Sequence, residues 1–169
     1  DGHKYANRNR IELDPSDIES STLSFKVNSQ YGKQTGAFRV YLSKDFPGLT
    51  KKDTINDRKL IQEHAWTDIT ESCGLANADG KNITVKDFNL SDYQSGLTLG
   101  FRFLGDTETT PQRTITLTDL VIKNTLSNGS VTELTGTDMS FTCFDITPSN
   151  LENNCYKMVT SGSAVVGTW

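Results

Sequence analysis

The 169-residue sequence holds only three cysteines, two histidines and no excess of positive charge, and each scarcity closes a class of function. Cys73, Cys143 and Cys155 are too few for a disulfide-stapled scaffold and fall in none of the C-x-x-C spacings of a zinc site. They read either as three buried thiols or as a Cys143 to Cys155 bridge closing a short loop beside one free thiol. A nucleophilic triad would have to use His3 or His64, and no Gly-x-Ser-x-Gly elbow is present to present a nucleophile. His64 reads instead as a surface or half-buried connector residue. The net charge is −4 and the pI about 5.1, so there is no basic footprint for nucleic acid. No apolar stretch reaches the roughly 20 residues that cross a bilayer as a helix. The polar opening Asp1-Gly2-His3-Lys4 is not a signal peptide, and a start without Met is expected of a trimmed piece of a longer protein.

What is abundant is alternation. Leu23, Phe25 and Val27 recur at period two, as do Phe38, Val40 and Leu42, and then Leu97, Leu99, Phe101 and Phe103. Residues two apart on an extended strand share a face, so each run turns one apolar face inward. The reading along the chain is a short strand at Ile11–Leu13, strands at 22–28 and 37–43 paired antiparallel across a turn at Tyr31-Gly32-Lys33, and extended structure at 66–70. Further strands follow at 82–88, 97–104, 114–124, 130–134, 139–146 and 156–166. Within the segment 114–124 the apolar phase slips from Ile115 and Leu117 to Leu120 and Ile122, which predicts a β-bulge near Thr118 and Asp119. Asn128-Gly129 is a hairpin turn signal. Leu90 to Tyr93 reads as a one-turn connector, and Asn56 as the cap of a short helix through Glu63 with Leu60 and Ile61 inward. Together these predict one all-β domain, a two-sheet antiparallel β-sandwich with one short helix in a connector. A jelly-roll-like topology is preferred to an immunoglobulin-like one.

No reaction centre stands out. Asp45, Asp53, Asp68, Glu71, Asp79, Asp87, Asp92, Asp106 and Glu108 lie in turns and strand ends, where aspartate serves turn chemistry, and no pair is marked for glycoside hydrolysis. Calcium fits better, because the loops around Asp106 and Glu108, around Asp79, and at Ser43-Lys44-Asp45 are rich in oxygen donors. For a sugar, aromatic faces and hydrogen-bond donors are needed: Tyr31, Tyr41 and Tyr93 are the candidate rings, and Arg39 and Arg102 point away from the apolar sets of their strands. Tyr41 and Tyr93 can equally cover sheet edges with only the hydroxyl wet. Trp66 reads as core. The tripeptides starting at Asn82, Asn89 and Asn128 are glycosylation acceptors only in a eukaryotic secretory route.

Four stretches carry a family resemblance: Gly2 to Tyr5 with Asn7 to Arg10, Val40 to Gly48, Ala65 to Thr70, and Leu99 to Phe103. In order they resemble the DUF5017 family of Bacteroidetes envelope lipoproteins, and related patterns occur in choice-of-anchor jelly-roll modules. The resemblance spans roughly residues 1–125. It implies an exported, lipid-tethered protein, an upstream segment that the sequence does not include, and no catalytic residues to transfer. The expectation is therefore a non-catalytic domain at the cell envelope that binds polysaccharide or attaches to a surface. A docking module for a neighbouring envelope protein is the alternative, and a glycoside hydrolase is the third reading.

Overall fold

A computed structural model describes residues 2–5, 17–76, 82–94, 96–105, 111, 113–139, 141, 146, 157–158 and 165–168, with side chains from residue 17 to residue 146. The chain runs through β1 (Gly2–Tyr5), β2 (Ile18–Gln30), β3 (Phe38–Ser43), α1 (Thr54–Glu63), β4 (Thr67–Asp68), β5 (Asn82–Asn89), β6 (Leu97–Phe103), β7 (Thr114–Leu126), β8 (Val131–Thr135), β9 (Lys157–Met158) and β10 (Val165–Thr168). One sheet has the order β1-β6-β3-β4; the other runs β5-β2-β7-β10-β9, with β8 also on β7. The alternation does what it predicts. Leu23, Phe25 and Val27 of β2 and Phe38, Val40 and Leu42 of β3 are all buried, and so are Leu97, Leu99 and Phe101 of β6. They meet Ile115, Leu117, Leu120 and Ile122 of β7 in one core. Phe25 and Phe101 join the two sheets edge to face, with ring centroids 5.9 Å apart. The molecule is an antiparallel β-sandwich.

The expected pairing of the second and third strands is corrected. β2 lies between β5 and β7, whereas β3 lies between β4 and β6 in the opposite sheet. Each strand has one apolar face, and placing the two in opposite layers buries those faces against each other; side by side, both would still need a cover. The resulting pairs, β2 with β7 and β3 with β6, are nested along the chain, one in each sheet. The Asn128-Gly129 turn joins β7 to β8 as expected, Gly129 with φ of 85° and its amide bonded to the Leu126 carbonyl. The connector before β6 is a short 3₁₀ turn over Ser91–Tyr93. The strand expected at Ile11–Leu13, most of that expected at 139–146, and Cys143 and Cys155 lie outside the described residues.

The bulge foreseen near Asp119 is present and has a partner that the sequence reading missed. Ser24 pairs with Val121 and Lys26 with Thr118, so Asp119 and Leu120 together oppose Phe25. On the other flank Leu23 pairs with Phe88 and Phe25 with Val85, so Lys86 and Asp87 oppose Ser24. Asp119 and Asp87 both take φ of 54°, a left-handed conformation that aspartate tolerates better than most side chains. The Asp87 amide donates to Ser24 Oγ at 2.9 Å, and Lys26 Nζ sits 3.2 Å from the Asp119 carboxylate. The slip from Val85 to Phe88 was the available signal: it is the same change of phase that marked Asp119.

The helix ends where expected, at Glu63, but its start is corrected. Asp53, not Asn56, is the N-cap, and its carboxylate accepts the Asn56 amide at 3.0 Å. The residue it buries is Asp57, 1% exposed, while Leu60 and Ile61 are only half-buried. The Asp57 carboxylate accepts the Thr50 amide and hydroxyl at 2.8 Å each and the Lys51 amide at 2.9 Å, closing the turn that leads into the helix. Burial works against its charge, yet these donors outweigh burial and hold the carboxyl below the ordinary carboxylate range. A depressed pKa means stability that is present above the unfolded value of about 4 and lost as pH falls through the folded value. Urea unfolding of the wild type and Asp57→Asn from pH 7 to pH 2 should therefore show a wild-type advantage that shrinks in acid. A difference independent of pH would assign the effect to shape alone.

Candidate functional site

The outer face of the smaller sheet is built by the polar halves of its strands. On β3 the outward residues are Arg39 and Tyr41, on β6 Gly100 and Arg102, and on β4 Asp68; in register Arg39 faces Arg102 and Tyr41 stands between Gly100 and Asp68. The Arg39 guanidinium lies 3.4 Å from Asp68 Oδ2, and that of Arg102 lies over the Tyr41 ring, 5.6 Å from its centroid. Asp68 Oδ1 accepts the Thr70 amide at 2.9 Å, and the Thr70 hydroxyl in turn receives the Val40 amide. Burial alone would raise the Asp68 pKa, but the Thr70 hydrogen bonds and the fields of Arg39 and Arg102 hold it below the ordinary range. The carboxylate is therefore ionised at neutral pH, a fixed acceptor beside two donors.

Trp66 corrects its reading as core. It is half-buried at the rim of this face, with its ring 6.3 Å from Tyr41 and 4.8 Å from the buried Phe46. Trp66 Nε1 donates to the Ile61 carbonyl at 2.9 Å, which ties the helix end to the sheet. The segment between α1 and β4 is too short to dive into a core already filled from both sheets, so the indole covers its edge. Phe46, the one fully buried ring of this group, was passed over because Lys44 to Gly48 carries a strand terminator rather than an alternating pattern.

His64 is the half-buried connector residue expected, packed edge to face on Phe46 and Trp66 at 5.1 and 4.9 Å. Its Nε2 lies 2.7 Å from Ser43 Oγ and 3.3 Å from Asp45 Oδ1, and Ser43 Oγ donates to Asp45 at 2.9 Å. Serine and aspartate thus address one ring nitrogen, whereas a nucleophilic triad engages the two nitrogens separately. The arrangement pins the strand end. The Asp45 carboxylate of one expected calcium loop is thereby engaged by imidazole and hydroxyl. Asp79, Asp106 and Glu108 of the other two lie outside the described residues. Among the described residues no three or more His, Cys, Asp or Glu side chains gather as a metal site would. Burial pushes the Cys73 thiol up to about 11, so it stays protonated and unreactive at neutral pH.

The remaining two tyrosines lie at opposite ends of the sandwich. Tyr93, half-buried in its 3₁₀ turn, packs against the core beside the start of β6. Tyr31, 67% exposed, crowns the loop after β2 with φ of 60°. That loop is held by Arg113, a buried residue that the sequence reading did not single out. Its Nε donates to the Gln34 carbonyl at 3.1 Å and its Nη1 to the Tyr31 carbonyl at 2.9 Å. The only hint in the sequence is an arginine leading into an apolar strand. Below the loop a cavity of about 20 Å³, lined by Gln34, Arg113, Val27 and Phe38, has room for a water and not for a sugar. No helix is long and apolar enough to cross a membrane among the described residues.

Three of the five candidate ligand residues, Arg39, Tyr41 and Arg102, thus converge on one sheet face, joined by Asp68 and Trp66. No curated protein and no solved structure matches this chain. A family model described as a domain of unknown function, DUF5017, matches residues 1–141, and the chain belongs to that family.

Proposed function

We propose that this domain is a non-catalytic carbohydrate-binding or surface-attachment module of a cell-envelope lipoprotein, of the jelly-roll type found on anchored bacterial proteins. One observation carries the reading: a half-exposed tyrosine and a tryptophan rim stand beside two arginines and an ionised aspartate on the outer side of the smaller sheet. Stacking rings with donors and an acceptor at their edge are what a pyranose needs, whose two faces are apolar and whose rim is hydroxyl. Among the described residues of this face the one carboxylate is held by Arg39 and Thr70, which favours a binding role for it over that of one of the two opposed carboxylates of glycoside hydrolysis.

The test is affinity electrophoresis of the folded domain against plant, host and microbial polysaccharides, with and without EDTA. Saturable retardation by at least one of them is expected, weakened about tenfold or more by Tyr41→Ala. Loss of binding in EDTA would add a structural calcium. No retardation across the panel by a protein with native circular dichroism would overturn the reading and leave docking to a neighbouring envelope protein.

A further inference from the structure

Arg39 and Arg102 are directly opposite each other on β3 and β6, both on the outer face. Like charges in that position repel. One carboxylate, Asp68, compensates: it contacts Arg39 at 3.4 Å, while Arg102 is exposed and forms no ion pair among the described residues. Among the described residues the face therefore carries one guanidinium without an ion-pair contact, held over the Tyr41 ring at 5.6 Å. A chain of net charge −4 hides this, because among the described residues two arginines stand against one aspartate on this face.

We infer that this face selects acidic glycans, with the anionic substituent of a sugar ring engaged by Arg102 and Arg39 while the ring lies against Tyr41. The inference rests on the sugar-binding reading and deepens it. A guanidinium fork matches the two oxygens of a carboxylate or sulfate in parallel hydrogen bonds, a geometry that neutral hydroxyls do not offer. Asp68 has a second consequence: by repelling anions on its own side, it directs the negative group toward Arg102 and away from the β4 edge.

The experiment compares dextran (neutral), polygalacturonate (carboxylate) and dextran sulfate (sulfate ester) for wild type, Arg102→Gln, Arg102→Lys and Tyr41→Ala, at low and high salt. The expected result is binding to a charged polymer about tenfold or more tighter than to dextran, lost by a similar factor in Arg102→Gln and weakened by salt. Arg102→Lys should recover only part of it, because a point charge replaces the fork. Preference for polygalacturonate over dextran sulfate assigns a uronate; the reverse order assigns a sulfate ester. If dextran binds as tightly as the charged polymers and only Tyr41→Ala matters, the inference falls and the sugar-binding reading stands. If none of the three binds, the inference falls, and the wider polysaccharide panel decides the sugar-binding reading. Arg102 is exposed, so its variants keep the fold, which circular dichroism verifies.

Discussion

Replacing Phe25 by alanine should destabilise the domain by about 4 kcal/mol, the usual cost of removing a buried phenyl ring together with the cavity it leaves. Phe25 is 1% exposed and touches Phe101 across the sandwich, so both layers lose a contact at once. It also sits where both neighbouring strands bulge, opposite Asp119 and Leu120 on one side and next to Ser24, opposite Lys86 and Asp87, on the other. Bulges tighten the local twist, and the ring they converge on cannot be replaced by a neighbour sliding along the strand. Urea unfolding should register the full loss, with a fall in melting temperature of about 8–16 °C for a domain of this size. Phe25→Leu, which keeps most of the volume, should cost about 1.5 kcal/mol. A loss below about 2 kcal/mol for the alanine variant would mean that the two sheets collapse onto the gap, and that the bulges do not hold them apart.

Gly32→Ala should be the most damaging change of one methyl group outside the core, costing about 3 kcal/mol. Gly32 has φ of 62°, and a β-carbon there would lie 2.4 Å from Gln34 Oε1, 2.5 Å from the Pro111 carbonyl oxygen and 3.0 Å from the Arg113 amide nitrogen. Gln34 can swing its side chain away, but the Pro111 and Arg113 backbone cannot follow without releasing the loop. The left-handed conformation costs about 1–2 kcal/mol for an alanine and the clash about 1–3 more. Gly36 supplies the control. With φ of 70° and nothing within 4 Å of its would-be β-carbon, Gly36→Ala should show the conformational part alone, about 1 kcal/mol. Equal effects at the two glycines, measured by urea unfolding, would show that the packing of Gly32 against the Pro111 segment is not a constraint. Because Arg113 holds the Tyr31 and Gln34 carbonyls of this loop, Gly32→Ala should also loosen Tyr31, visible as faster amide exchange over residues 31–35.

How much of this was legible beforehand depended on the range of the interaction. Inward residues of β2, β3, β6 and β7 were readable because alternation is written within a strand: Leu23, Phe25 and Val27 declare a face whatever they pack against. The Asp119 bulge was readable for the same reason, as a change of phase in one segment, and so was the Asn128-Gly129 hairpin, whose two strands meet through a local turn. Asp57 and Arg113 were not. Each is a charged residue whose burial depends on backbone groups elsewhere, at Thr50 and Lys51 for one and at Tyr31 and Gln34 for the other. The N-cap was misplaced by three residues because Asp53 and Asn56 are both good caps, and only the carboxylate's approach to the Asn56 amide separates them.

At the candidate site the sequence by itself determined which residues turn outward. Arg39, Tyr41 and Arg102 alternate with apolar neighbours and must leave the core. Only the tertiary structure decided that these residues share one face, that Arg39 stands opposite Arg102, and that Asp68 of β4 and Trp66 just before it join them. The reason is physical. Alternation encodes the face a side chain takes but not the strand it lies beside, and loop closure costs so little more for a long connection than for a short one that local chain length does not choose the partner. The choice between the two sheets is made by burying every apolar face at once. That sum runs over the whole sandwich, and no single segment of the sequence contains it.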